Sequence, residues 1–289
     1  MANNHPVVVG VDGSEPATQA VRWAAGEAAR RGRTLRLVHA GRATLPRPLP
    51  AEDLAALREQ VDRWLTEGRA AAVAVEPDLP LETSSVDAAP VDGLLRAASS
   101  AALLVVGNRG RGGFTGLLLG STSVALAGRA PCPVVVVRGE ETPGGSVVVG
   151  VDGTPMGEAA VEFAFEEAAT RGADLVAVHC WADPAVSAGV ATGVFSIDYD
   201  LYEREAGQVL AGRLAGWQEK YPDVRVTRAV VRDHPTQALL HFALTARLVV
   251  VGSRGRGGFA GLVLGSTSQY LLQHAPCPVA VVRVDHQSD

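Results

Sequence analysis

The feature that most constrains this chain is an internal repeat that reproduces itself in order. The segment VVVGVDGS at 7–14 returns as VVVGVDGT at 147–154, and GNRGRGGFTGLLLGSTS at 107–123 returns as GSRGRGGFAGLVLGSTS at 252–268. APCPVVVVR at 130–138 returns in turn as APCPVAVVR at 275–283. The first pair lies 140 residues apart and the other two 145, so the second copy carries five more residues in its middle. Compositional bias does not reproduce the same punctuation in the same order, so the chain is a duplication. Its 289 residues divide into domains at 1–138 and 146–289, and the polar stretch GEETPGG at 139–145 reads as a linker.

Within the first copy the runs Val7–Val11, Leu35–Ala40, Leu81–Val86, Leu103–Gly107 and Val134–Val137 read as strands. They are short and rich in Val and Leu, as parallel strands buried on both faces tend to be. Helical stretches separate them. In the first, Ala17, Ala20, Val21, Ala24, Ala25 and Ala28 recur at helical spacing, with Pro16 near the start and Gly32 past the end. The second copy repeats the scheme with strands near 147–151, 175–180, 226–231, 248–252 and 279–284. Regular alternation of strand and helix predicts an α/β fold: two tandem Rossmann-like domains, each a five-stranded parallel sheet with right-handed crossovers and helices on both faces. Ligands of such sheets lie beyond the carboxyl ends of the strands.

Composition narrows the function class. The chain is 47% hydrophobic and 20% charged, enough apolar material for cores and too little charge for disorder. A net charge of −5 offers no broad positive field for nucleic acid. The opening MANNHPVVVGVDG lacks the basic flank and the length of a signal peptide or membrane span, so a cytoplasmic protein without a membrane partner is expected. Cys132, Cys180 and Cys277 are odd in number and far apart, which fits neither a disulfide framework nor a CxxC metal site.

The chemistry lies in the glycines. After the fourth strand of each copy stand Gly107, Gly110, Gly120 and Ser121, then Gly252, Gly255, Gly265 and Ser266, in the pattern Gly-x2-Gly-x9-Gly-Ser. Glycines permit positive φ and let backbone N–H groups approach an anion. Gly-Ser-Thr-Ser then opens the fourth helix, whose first N–H groups and hydroxyls are placed for phosphate oxygens. Arg109 and Arg111, with Arg254 and Arg256, add nearby charge, although solvated loop arginines contribute little. Asp12 and Asp152 end the first strand of each copy in Gly-Val-Asp-Gly. Their carboxylates suit a ribose or adenine edge as well as an Asx-type turn, and their place at the binding end of the sheet favours the ligand. His39 and His179 close the second strands; with no partner nucleophile or carboxylate they read as packing or capping residues.

Two other nucleotide chemistries fail on the sequence. The P-loop motif GxxxxGK[ST] is absent, and Lys220 is the chain's one lysine. A dinucleotide fingerprint is matched by Gly255, Gly257 and Ala260 with Asp285 beyond the next strand, but after the fourth strand instead of the first, and Thr115 stands at the alanine position of the first copy.

The ordered set of VVVGVDGS, the Gly-x2-Gly-x9-Gly-Ser loop and the APCPVVVV strand resembles the universal stress protein family in its tandem, ATP-binding form, over nearly the whole chain. The resemblance implies a strand order of 3-2-1-4-5 in each domain, with ATP across the ends of strands one, two and four and Mg²⁺ held by its phosphates. It implies that Asp12, with Gly10 ahead of it, contacts the nucleoside, that Ala40 lines the adenine, and that Val106, Gly107, Arg109, Gly110, Gly120, Ser121 and Thr122 hold ribose and phosphates. The second set is Gly150, Asp152, Cys180, Val251, Gly252, Arg254, Gly255, Gly265, Ser266 and Thr267. It implies further that the last strands, 133–137 and 278–284, pair edge to edge within the chain, which covers apolar edges; a homodimer of chains is left open. No catalytic residue and no metal ligand is assigned. The expected function is an ATP-binding regulator of stress response or growth arrest. A slow Mg²⁺-dependent ATP hydrolase is the alternative, and a nucleotide-free scaffold is disfavoured by two intact loops.

Overall fold

The computed structural model describes residues 5–41, 50–111, 119–181, 198–255 and 264–283. The chain divides into two compact units, 1–138 and 139–289. The first contains β1 (Val7–Gly10), α1 (Glu15–Arg30), β2 (Leu35–Ala40), α2 (Ala51–Val73), β3 (Leu81–Val86), α3 (Pro90–Ala98), β4 (Leu103–Gly107), α4 (Ser121–Arg129) and β5 (Val134–Val137). The second contains β6 (Ser146–Gly150), α5 (Glu158–Arg171), β7 (Leu175–Cys180), α6 (Tyr199–Lys220), β8 (Val226–Val231), α7 (Pro235–Ala243), β9 (Ala246–Gly252), α8 (Ser266–His274) and β10 (Val279–Val282).

In the first unit the strands run parallel in the order β3-β2-β1-β4-β5, with Val7 beside both Leu35 and Leu103. The second unit repeats this as β8-β7-β6-β9-β10. The order reverses between β1 and β4, and between β6 and β9, where two crossovers diverge and leave a crevice at the strand ends. Helices α1 and α2 pack together, as do α3 and α4, and α5 with α6 and α7 with α8 repeat the two layers. The core is the strand interior: Val7, Val8, Val9, Leu103, Leu104 and Val105 are fully buried, as are Val147, Val148 and Val149. β3 departs from this pattern. Its sequence LETSSV is largely exposed, as an outer strand with one solvated face should be, so the expectation of burial on both faces does not hold there.

Local sequence sets the first helix of each unit. Ser14 caps α1 by accepting from Ala17 N (3.3 Å), Glu15 and Pro16 occupy its first turn, and Gly32 leaves it at φ +58°. The alanines anticipated on its inner face are the buried ones. Small residues there let the helix press onto the sheet. A Cβ on Gly107 would stand 2.6 Å from the Pro16 carbonyl oxygen. Each helix also carries one fully buried carboxylate. Glu27 pairs with Arg30 (3.0 Å) and with Arg31, and Glu167 pairs with Arg171 (2.8 Å). The segment 139–145, expected as a linker, bonds into the second unit: Glu141 pairs with Arg171 (3.2 Å) and Thr142 N donates to Ala246 O (3.3 Å).

Candidate functional site

In the second unit the carboxyl ends of β6, β7 and β9 and the N-termini of α7 and α8 enclose a cavity of about 440 Å³. That is within the usual range for a small-molecule site. Gly150, Asp152, Cys180, Val251, Gly252, Arg254, Gly255, Gly265, Ser266 and Thr267, the second set named from sequence, all line it. Part of the lining is apolar, from Val151, Val178, Leu239 and Val251; much of the rest is glycine backbone and the start of α8. The first unit places Gly10, Asp12, Ala40, Val106, Gly107, Arg109, Gly110, Gly120, Ser121 and Thr122 on the equivalent strand ends and helix start.

The aspartates tie the site together. Asp12 Oδ1 accepts from Ser14 N (3.0 Å) and Ser14 Oγ (2.6 Å), the Asx-type turn read from the sequence. Its Oδ2 accepts from Arg111 N (2.9 Å), 99 residues along the chain. Asp12 therefore joins the end of β1 to the loop after β4. In the second unit Asp152 Oδ1 accepts from Thr154 N and Oγ1, both at 2.8 Å. A carboxylate held this way has its charge offset by protein donors and its geometry fixed.

The glycines serve space and not backbone sign. None of Gly107, Gly110, Gly120, Gly252, Gly255 and Gly265 has a positive φ, so the positive-φ reason given from sequence does not apply to them. Positive φ belongs to Gly13 (+76°) and Gly153 (+78°), in the turn that follows each aspartate. What Gly110 and Gly255 supply is room: a Cβ on Gly110 falls well inside contact distance of Asp12 Oδ2, and one on Gly255 lies 3.3 Å from Asp152 Oδ2. Gly10 and Gly150 likewise leave room for Leu94 (3.2 Å) and Leu239 (3.0 Å).

The helix starts leave their first-turn N–H groups without a side-chain cap. The capping residues of α4 and α8 are Gly120 and Gly265. Gly120 N donates to Asn108 O and Gly265 N to Ser253 O, both at 2.8 Å, which fixes loop against helix. The third hydroxyl of Gly-Ser-Thr-Ser has another task than phosphate. Ser123 Oγ donates to Gly107 O (2.8 Å) and Ser268 Oγ to Gly252 O (2.6 Å), pinning each helix to the preceding strand. Ser121 and Thr122, with Ser266 and Thr267, are left at the mouth.

Each histidine bonds to the backbone at the end of the neighbouring strand. The Nδ1–H of His39 donates to Val11 O (2.8 Å) and that of His179 to Val151 O (2.6 Å). Ala40 is buried under α3, where a Cβ on Gly93 would lie 2.5 Å from its own. Cys180 differs: it lines the cavity, and burial, reinforced by Asp233, pushes its thiol up to about 11. Sequence reasoning missed Pro235 and Leu239, the α7 wall, although Pro235 opening an apolar helix after a strand was a legible signal. Arg256, Gly257, Ala260, Thr115 and Asp285 lie outside the described residues. Among the described residues no cluster of metal-ligating side chains occurs and no helix is long and apolar enough to cross a membrane.

The universal stress protein family model matches residues 3–138 and again 145–283. A universal stress protein of Mycobacterium tuberculosis strain H37Rv is 42% identical over 290 residues, covering 96% of each chain. One of Mycolicibacterium smegmatis is 39% identical over 293 residues, covering 98% of each. Among solved structures, a universal stress protein from Archaeoglobus fulgidus superposes with a TM-score of 0.71 at 20% identity, covering 98% of each chain, which speaks to the fold. The chain belongs to the universal stress protein family, with two family domains in tandem.

Proposed function

We propose that each unit holds one ATP, with Mg²⁺ carried on its phosphates, and that occupancy makes this protein a nucleotide-dependent regulator in stress response or growth arrest. The observation that carries the reading is the second unit's cavity, apolar along Val178, Leu239 and Val251 and lined by the uncapped α8 N-terminus with Ser266 and Thr267. An adenine suits the first wall and phosphates the second. The equivalent elements of the first unit support a matching site around Asp12 and Gly120. In the regulator reading the protein holds its nucleotide without consuming it. The engagement of Asp12 and Asp152 by the protein's own donors supports this, because a carboxylate so bonded suits positioning better than proton abstraction.

The test is to denature the purified protein, separate the released small molecules and determine their molar ratio to chain. Close to two ATP per chain is the expected result. ADP in place of ATP would move the reading toward hydrolysis, and a dinucleotide, or nothing after ATP is added back, would overturn it.

A further inference from the structure

One difference between the copies touches the binding end of the sheet. Trp64, on α2, lies against the Asp12–Gly13 turn so closely that a Cβ on Gly13 would stand 2.6 Å from indole Cε2. Arg111 places its guanidinium carbon 4.6 Å from the centre of the same indole, and His39, at the end of β2, meets it at 5.4 Å with the rings tilted by 50°. Arg111 is also the residue whose backbone N–H donates to Asp12. The start of the first phosphate loop is thus fastened twice, by backbone to the β1 turn and by side chain to α2.

Among the described residues of the second unit, α6 meets the corresponding turn through an arginine. Arg213 holds the turn that follows Asp152, donating twice to Gly153 O (3.1 and 2.9 Å). Aromatic rings occur at another corner, where Trp181 stacks on Tyr202 (6.0 Å) and Arg232 lies 3.9 Å from the Tyr199 ring centre.

We infer that Trp64 is a positioning residue for the phosphate loop of the first unit alone, seating the Asp12–Gly13 turn and clasping Arg111, so that the two nucleotide sites are unequal. The consequence for affinity rests on the ATP reading; the clasp itself does not. A guanidinium on a half-buried indole is worth a modest but measurable attraction, and Lys, a compact ammonium, does not reproduce its planar stacking.

The experiment is limited trypsin digestion of the full ligand-free chain, with cleavage after Arg109 and Arg111 compared with cleavage after Arg254 and Arg256. Trp64→Leu is expected to speed the first pair relative to the second by about two- to five-fold, with Trp64→Phe restoring most of the protection. Arg111→Lys changes an exposed side chain, keeps the protease site and should speed cleavage after Arg109 in the same sense. If neither substitution alters the ratio, or if cutting after Arg63 and Arg69 within α2 rises in parallel, Trp64 only holds its helix and the inference falls. ATP titration in a Gly265→Glu background separates the two readings. Affinity two- to five-fold weaker in Trp64→Leu supports both, whereas altered protection in a chain that binds no ATP leaves the clasp standing and removes the nucleotide.

Discussion

Gly110 and Gly255 hold equivalent positions in the two loops, yet the same substitution should affect them unequally. Neither has a positive φ, so Ala costs no backbone strain at either. The difference is in what the new methyl meets. At Gly110 it enters the space of Asp12 Oδ2, the oxygen that accepts from Arg111 N at 2.9 Å, and the carboxylate must turn away. At Gly255 the nearest atom, Asp152 Oδ2, is 3.3 Å off and yields by a few tenths of an ångström. A hydrogen bond to a charged group contributes about 1.5–3 kcal/mol. Carried through to loop placement, Gly110→Ala should weaken ATP at the first site by roughly ten- to 150-fold, while Gly255→Ala changes the second by less than about three-fold. Calorimetric titration isolates each effect, with the other site closed by Gly265→Glu or Gly120→Glu. Unfolding stability should fall by up to the same about 1.5–3 kcal/mol in Gly110→Ala, since the lost bond is present in the ligand-free fold, and stay near wild type in Gly255→Ala. Equal losses at both sites, or none at the first, would refute the view that Asp12 holds the loop in place.

Three further outcomes follow from the same geometry. Gly120→Glu and Gly265→Glu should each remove one ATP per chain from the released-nucleotide ratio without unfolding the protein. At both positions a Cβ has no neighbour nearer than 3.4 Å, while the new carboxylate lies at the helix start where phosphate would bind. Retention of two ATP in either variant would displace the cradle. Glu167→Ala removes the 2.8 Å partner of the Arg171 guanidinium, 1% exposed, which keeps Glu141 at 3.2 Å, and should cost about 1.5–3 kcal/mol in urea unfolding; a loss under about 0.5 kcal/mol would show the pair to be dispensable. Cys180, with its thiol raised to about 11, should alkylate slowly at pH 8, where about one molecule in a thousand is thiolate. The rate should climb roughly tenfold per pH unit toward that value and fall when ATP is added; labelling indifferent to ATP would place the nucleotide elsewhere.

The sequence was legible wherever the physics is local. Val-rich runs bounded by glycine and proline are strands because β-branched residues suit a pleated, buried backbone, and β2, β3, β4, β5, β7 and β8 begin and end where the runs do. Ser14 followed by Pro16 starts a helix and Gly32 ends it for reasons contained within a few residues. Duplication added a second witness: a glycine pattern kept twice at one spacing pointed to residues that line the second unit's cavity before any contact was known. What only the tertiary structure decided depends on approach between distant segments. That Gly110 is glycine because of a carboxylate 98 positions earlier, and not because of its own φ, is invisible in a linear pattern. So is the second oxygen of Asp12 reaching Arg111, the α7 wall at Leu239, and the indole of Trp64 seated on Gly13. Local sequence sets dihedral preferences and burial periodicity, whereas the crevice at the strand ends is formed by crossovers that bring residues some hundred positions apart within hydrogen-bond distance, and the chain order carries no record of that distance.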